Sequence, residues 1–188
     1  MGQPVIVLFE DARAPTTKSA LDDLLVSCVA DTLGFDDRFG LRRWIQVSLR
    51  KGNANLLDDC RRVGDIAKRG EMVVAVFDND EVRKLLGMRP KATAAQVEAA
   101  IKKNCPNPTR LRVVLLDRNM ESLLRSARAC GVDAPEDLWA SAVEKKRLNA
   151  RDQILKRLAF GARALRDCVR KRLPSFEQLV SIAAESIQ

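Results

Sequence analysis

Acidic residues follow several apolar runs of the chain and are candidate ligands of a cation. Glu10 ends the run PVIVLFE; Asp78 follows the run MVVAVF directly, with Asp80 two residues on. Asp117 ends the run RLRVVLLD, and Glu121 comes four residues later. Residues two apart in an extended segment point the same way, so Asp78 and Asp80 can face one point. Converging carboxylates raise each other's pKa or bind a cation, and an all-oxygen ligand set favours Mg²⁺ or Mn²⁺.

The sequence DND at 78–80 also has a simpler interpretation. Asp and Asn after a strand are common turn and helix-capping residues, so this segment alone does not indicate a metal site. The joint placement of Glu10 after one apolar run and Asp78 with Asp80 after another favours the cation. The chain contains no histidine, which excludes Ser–His and Cys–His nucleophilic pairs and leaves carboxylates as the metal ligands.

The elements that position these residues alternate between strands and helices. Short apolar runs predict strands at 4–10, 42–52, 72–78 and 110–117. Helical spacing predicts helices at 14–34, 53–70, 91–105 and 119–131, the third opened by a capping box of Thr93 and Gln96. This alternation predicts an α/β fold with a parallel four-stranded sheet flanked by helices. Ligands of such sheets bind beyond the carboxyl ends of the strands.

The chain becomes helical and basic towards its C-terminus. From Pro135 onwards the pattern is helical, so we predict an α/β domain over 1–134 and a helical extension over 135–188 that packs on it. Residues 145–172 carry eleven Lys and Arg against two Asp, a net charge of +9 in a chain of net charge +8. The positive charge therefore belongs to the extension.

A single helix over 151–173 would place its apolar residues within an arc of about 100°. The cations on its other side are Lys156, Arg157, Arg163, Arg166, Arg170 and Lys171. This face is interpreted either as a surface that binds the phosphates of DNA or RNA or as the solvated side of a core helix. Lys51, after the second strand, either approaches a phosphate or lies in an ordinary loop.

VIVLFE followed by a helix, and later VVAVFDNDE, resemble the TOPRIM superfamily, the metal-binding domain of primases, topoisomerases and several nucleases. The resemblance implies a Rossmann-like sheet and a Mg²⁺ or Mn²⁺ site at Glu10, Asp78 and Asp80, with Asp117 as a further ligand. RNMESLLRSA is similar to a motif of the small RloB-like branch, which implies that Glu121 belongs to the catalytic set. The tail SFEQLVSIAA also resembles that branch.

The resemblance narrows the function to a few alternatives. Topoisomerases of this superfamily cleave DNA with a tyrosine, and the chain has none; 188 residues are also too few for the further domains of primases. Metal-dependent phosphodiester hydrolysis remains, and the RloB-like branch implies an effector of bacterial antiphage defence with an ATPase partner. A catalytically silent TOPRIM module is the alternative, because Asp11 stands where the family usually has Gly. A haloacid-dehalogenase-like phosphatase ranks last, since that family has its D-x-D after the first strand.

Five dispersed cysteines, without a C-x-x-C pair and without an export signal, predict reduced thiols in a cytoplasmic protein. No apolar run is long enough to span a membrane. Both Trp and all six Phe are predicted to be core or packing residues. The sequence leaves open whether the protein is a homo-oligomer.

Overall fold

The computed structural model describes residues 2–10, 20–36, 38–67, 70–116 and 119–188. Within these ranges the predicted α/β fold is confirmed, with a parallel four-stranded sheet, flanking helices and a helical C-terminal segment. The elements are β1 Val5–Glu10, α1 Ala20–Leu33, α2 Arg38–Leu41, β2 Ile45–Arg50, α3 Asn53–Arg61, α4 Val63–Ile66, β3 Met72–Asp78, α5 Asn79–Leu85, α6 Ala94–Lys102, β4 Leu111–Leu116, α7 Asn119–Ala129, α8 Glu136–Val143, α9 Leu148–Phe160, α10 Arg163–Arg172 and α11 Pro174–Ile187.

The sheet has the strand order β2-β1-β3-β4 with every pair parallel. Residues 73–77 of β3 are all buried, as expected of a parallel strand that is covered on both faces. Their side chains are mostly β-branched or aromatic, which favours the extended backbone. The four strands predicted from apolar runs are therefore present: β3 has the predicted bounds, and the other three are slightly shorter.

The described residues form two compact units. The first contains the four strands, helices α3 to α6 and the last three residues of the chain, and the second contains α1, α2, α7 to α10 and most of α11. The α1 segment, which precedes β2 in sequence, thus groups with the C-terminal helices. The predicted boundary after residue 134 does not describe this grouping.

Helices α3, α4, α5 and α6 cover one face of the sheet in the first unit. The apolar side chains of this layer are fully or almost fully buried: Leu8, Leu56, Cys60, Val63, Ala67, Val73, Ala75, Phe77, Val82, Val97, Ile101, Cys105, Leu111 and Val113. The predicted capping box opens α6, where Thr93 Oγ1 accepts from the Gln96 N–H and Gln96 Oε1 accepts from the Thr93 N–H. The helix predicted over 53–70 is instead interrupted at Arg62, between α3 and α4.

The second unit does not contain the single helix over 151–173 on which the apolar and basic faces were drawn. Helix α9 ends at Phe160, and α10 begins at Arg163. A Cβ atom at Gly161 would lie 2.7 Å from the Arg157 carbonyl oxygen, so the chain turns there in a path that only glycine fits. The apolar and basic faces drawn for a single helix therefore do not apply to α10.

Two further expectations fail in the second unit. The prediction that all thiols are reduced is wrong for Cys130 and Cys168, which form a disulfide with a Cα–Cα distance of 5.9 Å. The fold brings them together across 38 residues of sequence, a proximity that their spacing does not encode. The prediction that all aromatic residues are packed is wrong for Phe35, Phe39 and Phe160, each more than half exposed.

Among the described residues, no helix is both long and apolar enough to cross a membrane.

Candidate functional site

The carboxyl ends of β1 and β3 lie at the point where the strand order reverses. The chain moves from β1 to β2 on one side, and the next strand, β3, then pairs with β1 on its other side. Open α/β sheets of this order bind their ligands at this reversal. Phe9 pairs with Val76. Glu10, the last residue of β1, therefore lies level with Phe77, the residue before Asp78. Two of the predicted acidic residues therefore occupy neighbouring strands at the expected ligand site.

Asp78 caps the N-terminus of helix α5. Its Oδ1 accepts hydrogen bonds from the backbone N–H groups of Asp80 at 3.2 Å and Glu81 at 3.4 Å. Burial raises the pKa of the Asp78 carboxyl, and the charges of Glu81 and Asp80 raise that pKa further, against the lowering effect of the two N–H donors. Asp80 is exposed. The ionised form of Asp78 is therefore disfavoured by its surroundings, and a nearby cation would relieve this.

Asn53, at the start of α3, is a residue that sequence reasoning missed. It is 2% exposed, and its Nδ2 donates to Glu81 Oε2 at 2.8 Å. Its Oδ1 accepts from the Asp78 N–H at 3.2 Å. Asn53 therefore holds both the backbone at Asp78, where the D-x-D segment begins, and the side chain of Glu81, which follows that segment. The only sequence signal was its place just after the second strand, behind Gly52, whose φ is 82°.

Arg50 brings a positive charge to the same edge of the sheet. It ends β2 and pairs in register with Glu10. Its guanidinium donates to the Asp59 carboxylate, and its Nη1 donates to Ser48 Oγ at 2.5 Å. The next residue, Lys51, is exposed. This edge therefore combines the carboxylates that end β1 and β3 with the guanidinium of Arg50, which its partners hold in place, and the exposed ammonium group of Lys51.

The described residues contain the oxygen donors of a cation site, but not an assembled one. Within the ranges that the structure describes, no three acidic or cysteine side chains are grouped closely enough to hold a metal ion. Asp117 and Asp11 lie outside the described residues. Carboxylate oxygens are ligands that suit a hard divalent ion. Glu10, Asp78 and Asp80 would need to converge further to bind it.

Glu121 belongs to the second unit, in the first turn of α7. Lys146 Nζ lies 2.9 Å from its Oε1, and Arg125 Nη2 lies 4.0 Å from its Oε2. The hydrogen bond from Lys146 is the main cause that lowers the pKa of Glu121, with the charges of Lys146 and Arg125 adding to it. Glu121 therefore stays ionised, which suits a ligand or an ion-pair partner better than a proton donor.

The predicted basic face divides into exposed and buried residues. Lys156, Arg157, Arg163 and Lys171 are exposed. Arg170 is half-buried, and its Nη2 donates to Glu177 Oε1 at 2.8 Å. The prediction that Arg166 faces solvent is wrong, because the residue is 1% exposed.

The burial of Arg166 has a structural cause. Its Nη1 donates to the carbonyl oxygens of Ala159 at 2.9 Å and Gly161 at 2.7 Å, at the end of α9. Its Nη2 donates to Asp31 Oδ1 at 3.1 Å. The guanidinium therefore satisfies helix-end carbonyl groups and one largely buried carboxylate, and it is not available to a phosphate.

No protein-family model, curated protein or solved structure matches the chain. The chemistry that the site offers is that of its own residues: carboxylate oxygens at the reversal of the strand order, with a guanidinium fixed on the adjacent strand.

Proposed function

We propose that the protein is a metal-dependent nuclease that hydrolyses phosphodiester bonds of DNA or RNA. The observation that carries this proposal is the position of Glu10 and Asp78 on the two strands where the strand order reverses. Acidic residues at this position suit a ligand that contains a divalent cation and a phosphate. The resemblance to the TOPRIM superfamily implies the same residues and the same ion.

Glu10, Asp78 and Asp80 would hold Mg²⁺ or Mn²⁺, with Asp117 as a further ligand; that Glu121 belongs to the catalytic set is implied by the resemblance alone. The bound ion would polarise a phosphate oxygen and lower the pKa of a water molecule. The residues around the acids keep them in place: Asn53 holds the D-x-D turn through the Asp78 N–H. Lys51, exposed at the same edge, would attract the phosphate.

The exposed cations of the second unit support a polyanionic substrate. Lys156, Arg157, Arg163 and Lys171 present charge to solvent, and the chain as a whole carries +8. Lys and Arg bind nucleic acids mainly through their phosphates, so this interaction does not depend on base sequence. Arg166 has no part in it, and Arg170 contributes only what its ion pair with Glu177 leaves available.

The second candidate function is a catalytically silent TOPRIM module that binds nucleic acid or a partner protein. Two observations favour it: Asp78 already serves as the cap of α5, and the described acidic residues are not assembled for a metal ion. For the nuclease, the resemblance also implies a cytoplasmic role as the effector of bacterial antiphage defence with an ATPase partner, and we include that role in its proposal.

Cleavage assays with a matched pair of variants test the proposal. Asp80→Asn removes a proposed ligand, whereas Asp65→Asn removes an equal charge from an exposed residue of α4. Single- and double-stranded DNA and RNA are incubated with each protein and Mn²⁺. Cleavage by wild type and Asp65→Asn that is lost in Asp80→Asn and with a chelator is the expected result. Equal cleavage by all three proteins would contradict the assignment of the site. Salt-dependent binding of nucleic acid without any cleavage would favour the silent module.

A further inference from the structure

The disulfide between Cys130 and Cys168 differs from the other cysteines in its access to solvent. Cys28, Cys60 and Cys105 are buried free thiols, whereas Cys130 and Cys168 are both partly exposed. The bridge joins the turn that follows α7 to the middle of α10. It is therefore the cysteine pair of this chain that a small reagent can reach.

An open groove with a volume of about 550 Å³ lies beside this disulfide. Its lining residues are Ala164, Asp167, Cys168, Lys171 and Arg172. Of the two bridged cysteines, only Cys168 is among the described residues that line the groove. The groove therefore gives access to one sulfur of the bridge.

The charge of this groove favours an anion. Asp167 lies 3.6 Å from Arg163 and 3.6 Å from Arg170, measured between the charged atoms. These two arginines offset its negative charge. Lys171 and Arg172, both exposed, therefore leave a net positive charge beside Cys168. These two cations attract an incoming thiolate to the side of the bridge on which Cys168 lies.

We propose that this groove binds a small carboxylate-bearing thiol, which reduces the disulfide by attacking Cys168. The incoming thiolate forms a bond to Cys168 Sγ, the Cys130–Cys168 bond breaks, and Cys130 leaves with the electron pair and takes up a proton. A second thiolate then attacks the sulfur of the bound thiol and releases Cys168. The net reaction converts one protein disulfide and two small thiols into two protein thiols and one small disulfide.

Reduction changes how firmly α10 is held in the second unit. Without the bridge, α10 keeps the buried side chain of Val169, the ion pair of Arg166 with Asp31 and that of Arg170 with Glu177. Most other residues of α10 are polar, so its apolar anchoring is small. Reduction of the pair therefore removes one of the contacts that hold a helix carrying exposed cations. This inference does not depend on the proposed nuclease activity.

Comparing two thiols of opposite charge tests the proposal with the full chain. The protein is oxidised with glutathione disulfide, and its reduction is then followed with glutathione, an anion, and with cysteamine, a cation. The groove variant Lys171→Gln/Arg172→Gln is compared with Lys91→Gln/Lys103→Gln, which removes equal charge from exposed positions in the first unit.

In wild type and the control variant we expect the same ratio of glutathione to cysteamine rates. In the groove variant that ratio falls about threefold, as expected for two screened charges near a monoanion. Acid quenching early in the reaction, followed by peptide mapping, locates glutathione on Cys168. An unchanged ratio in the groove variant, or glutathione on Cys130, would overturn the proposal. Five free thiols after oxidation would overturn the pairing itself.

Discussion

Truncating Arg166 should destabilise the protein severely, although the sequence pattern places this residue on a solvated face. The guanidinium is 1% exposed and the Asp31 side chain 10% exposed. Arg166→Ala would leave the Asp31 carboxylate buried without its cation, and would remove donors from the carbonyl oxygens of Ala159 and Gly161. Breaking a buried ion pair by removing one partner costs about 3–5 kcal/mol, a large part of a typical total stability of about 5–15 kcal/mol.

Urea unfolding followed by circular dichroism measures this effect. Arg163→Ala is the matched control: it lies on the same helix, its side chain is 62% exposed and its partner Asp167 is 3.6 Å away. We expect that control to change the free energy of unfolding by less than about 0.5 kcal/mol. The double variant Asp31→Ala/Arg166→Ala should lose less than the sum of the single variants, because the two residues share one interaction. Similar losses for Arg163→Ala and Arg166→Ala would refute this role of Arg166.

Three further predictions concern stability. Asn53→Ala should lower the free energy of unfolding by about 1–3 kcal/mol, because it removes buried partners of Glu81 and Asp78, whereas the exposed Asn55→Ala should have a smaller effect in the same urea assay. Arg170 lowers the pKa of Glu177, so this pair stabilises the fold above the ordinary Glu value of 4.5, and that stability is lost as the pH falls through the lowered pKa. In thermal unfolding, Glu177→Gln should therefore be less stable than wild type at neutral pH, by under about 1 kcal/mol, and equally stable in acid. Reduction of the disulfide, which spans 38 residues, should lower stability by about 4 kcal/mol; no change in urea midpoint on reduction would count against the bridge.

The sheet could be predicted from the sequence because its signals are local. Each strand is a short apolar run bounded by polar residues, and residues 73–77 are buried as such a run requires. The start of α6 was equally local, since Thr93 and Gln96 form both bonds of the capping box. The alternation of strands and helices then restricted the topology to a parallel sheet.

The predictions that were wrong, or were missed, depend on contacts between residues that are far apart in sequence. The periodicity of 151–173 is compatible with one helix, and the break between α9 and α10 at Gly161 appears only in the folded chain. Arg166 appeared to be a surface cation because its partner, Asp31, is 135 residues away in sequence. The same applies to Asn53, whose two partners lie more than 20 residues further along the chain. No spacing rule links such residues before the fold brings them together.

The most direct test of the proposed metal site is calorimetric titration of Mn²⁺ into wild type, Asp78→Asn and Asp65→Asn. Asparagine at position 78 keeps an acceptor oxygen for the Asp80 and Glu81 N–H groups, so helix α5 retains a cap. It removes the carboxylate that a hard cation requires. The proposed site predicts saturable binding of one or two ions to wild type and Asp65→Asn, and strongly weakened binding to Asp78→Asn. Equal Mn²⁺ affinity in all three proteins would contradict a metal site at the carboxyl ends of β1 and β3.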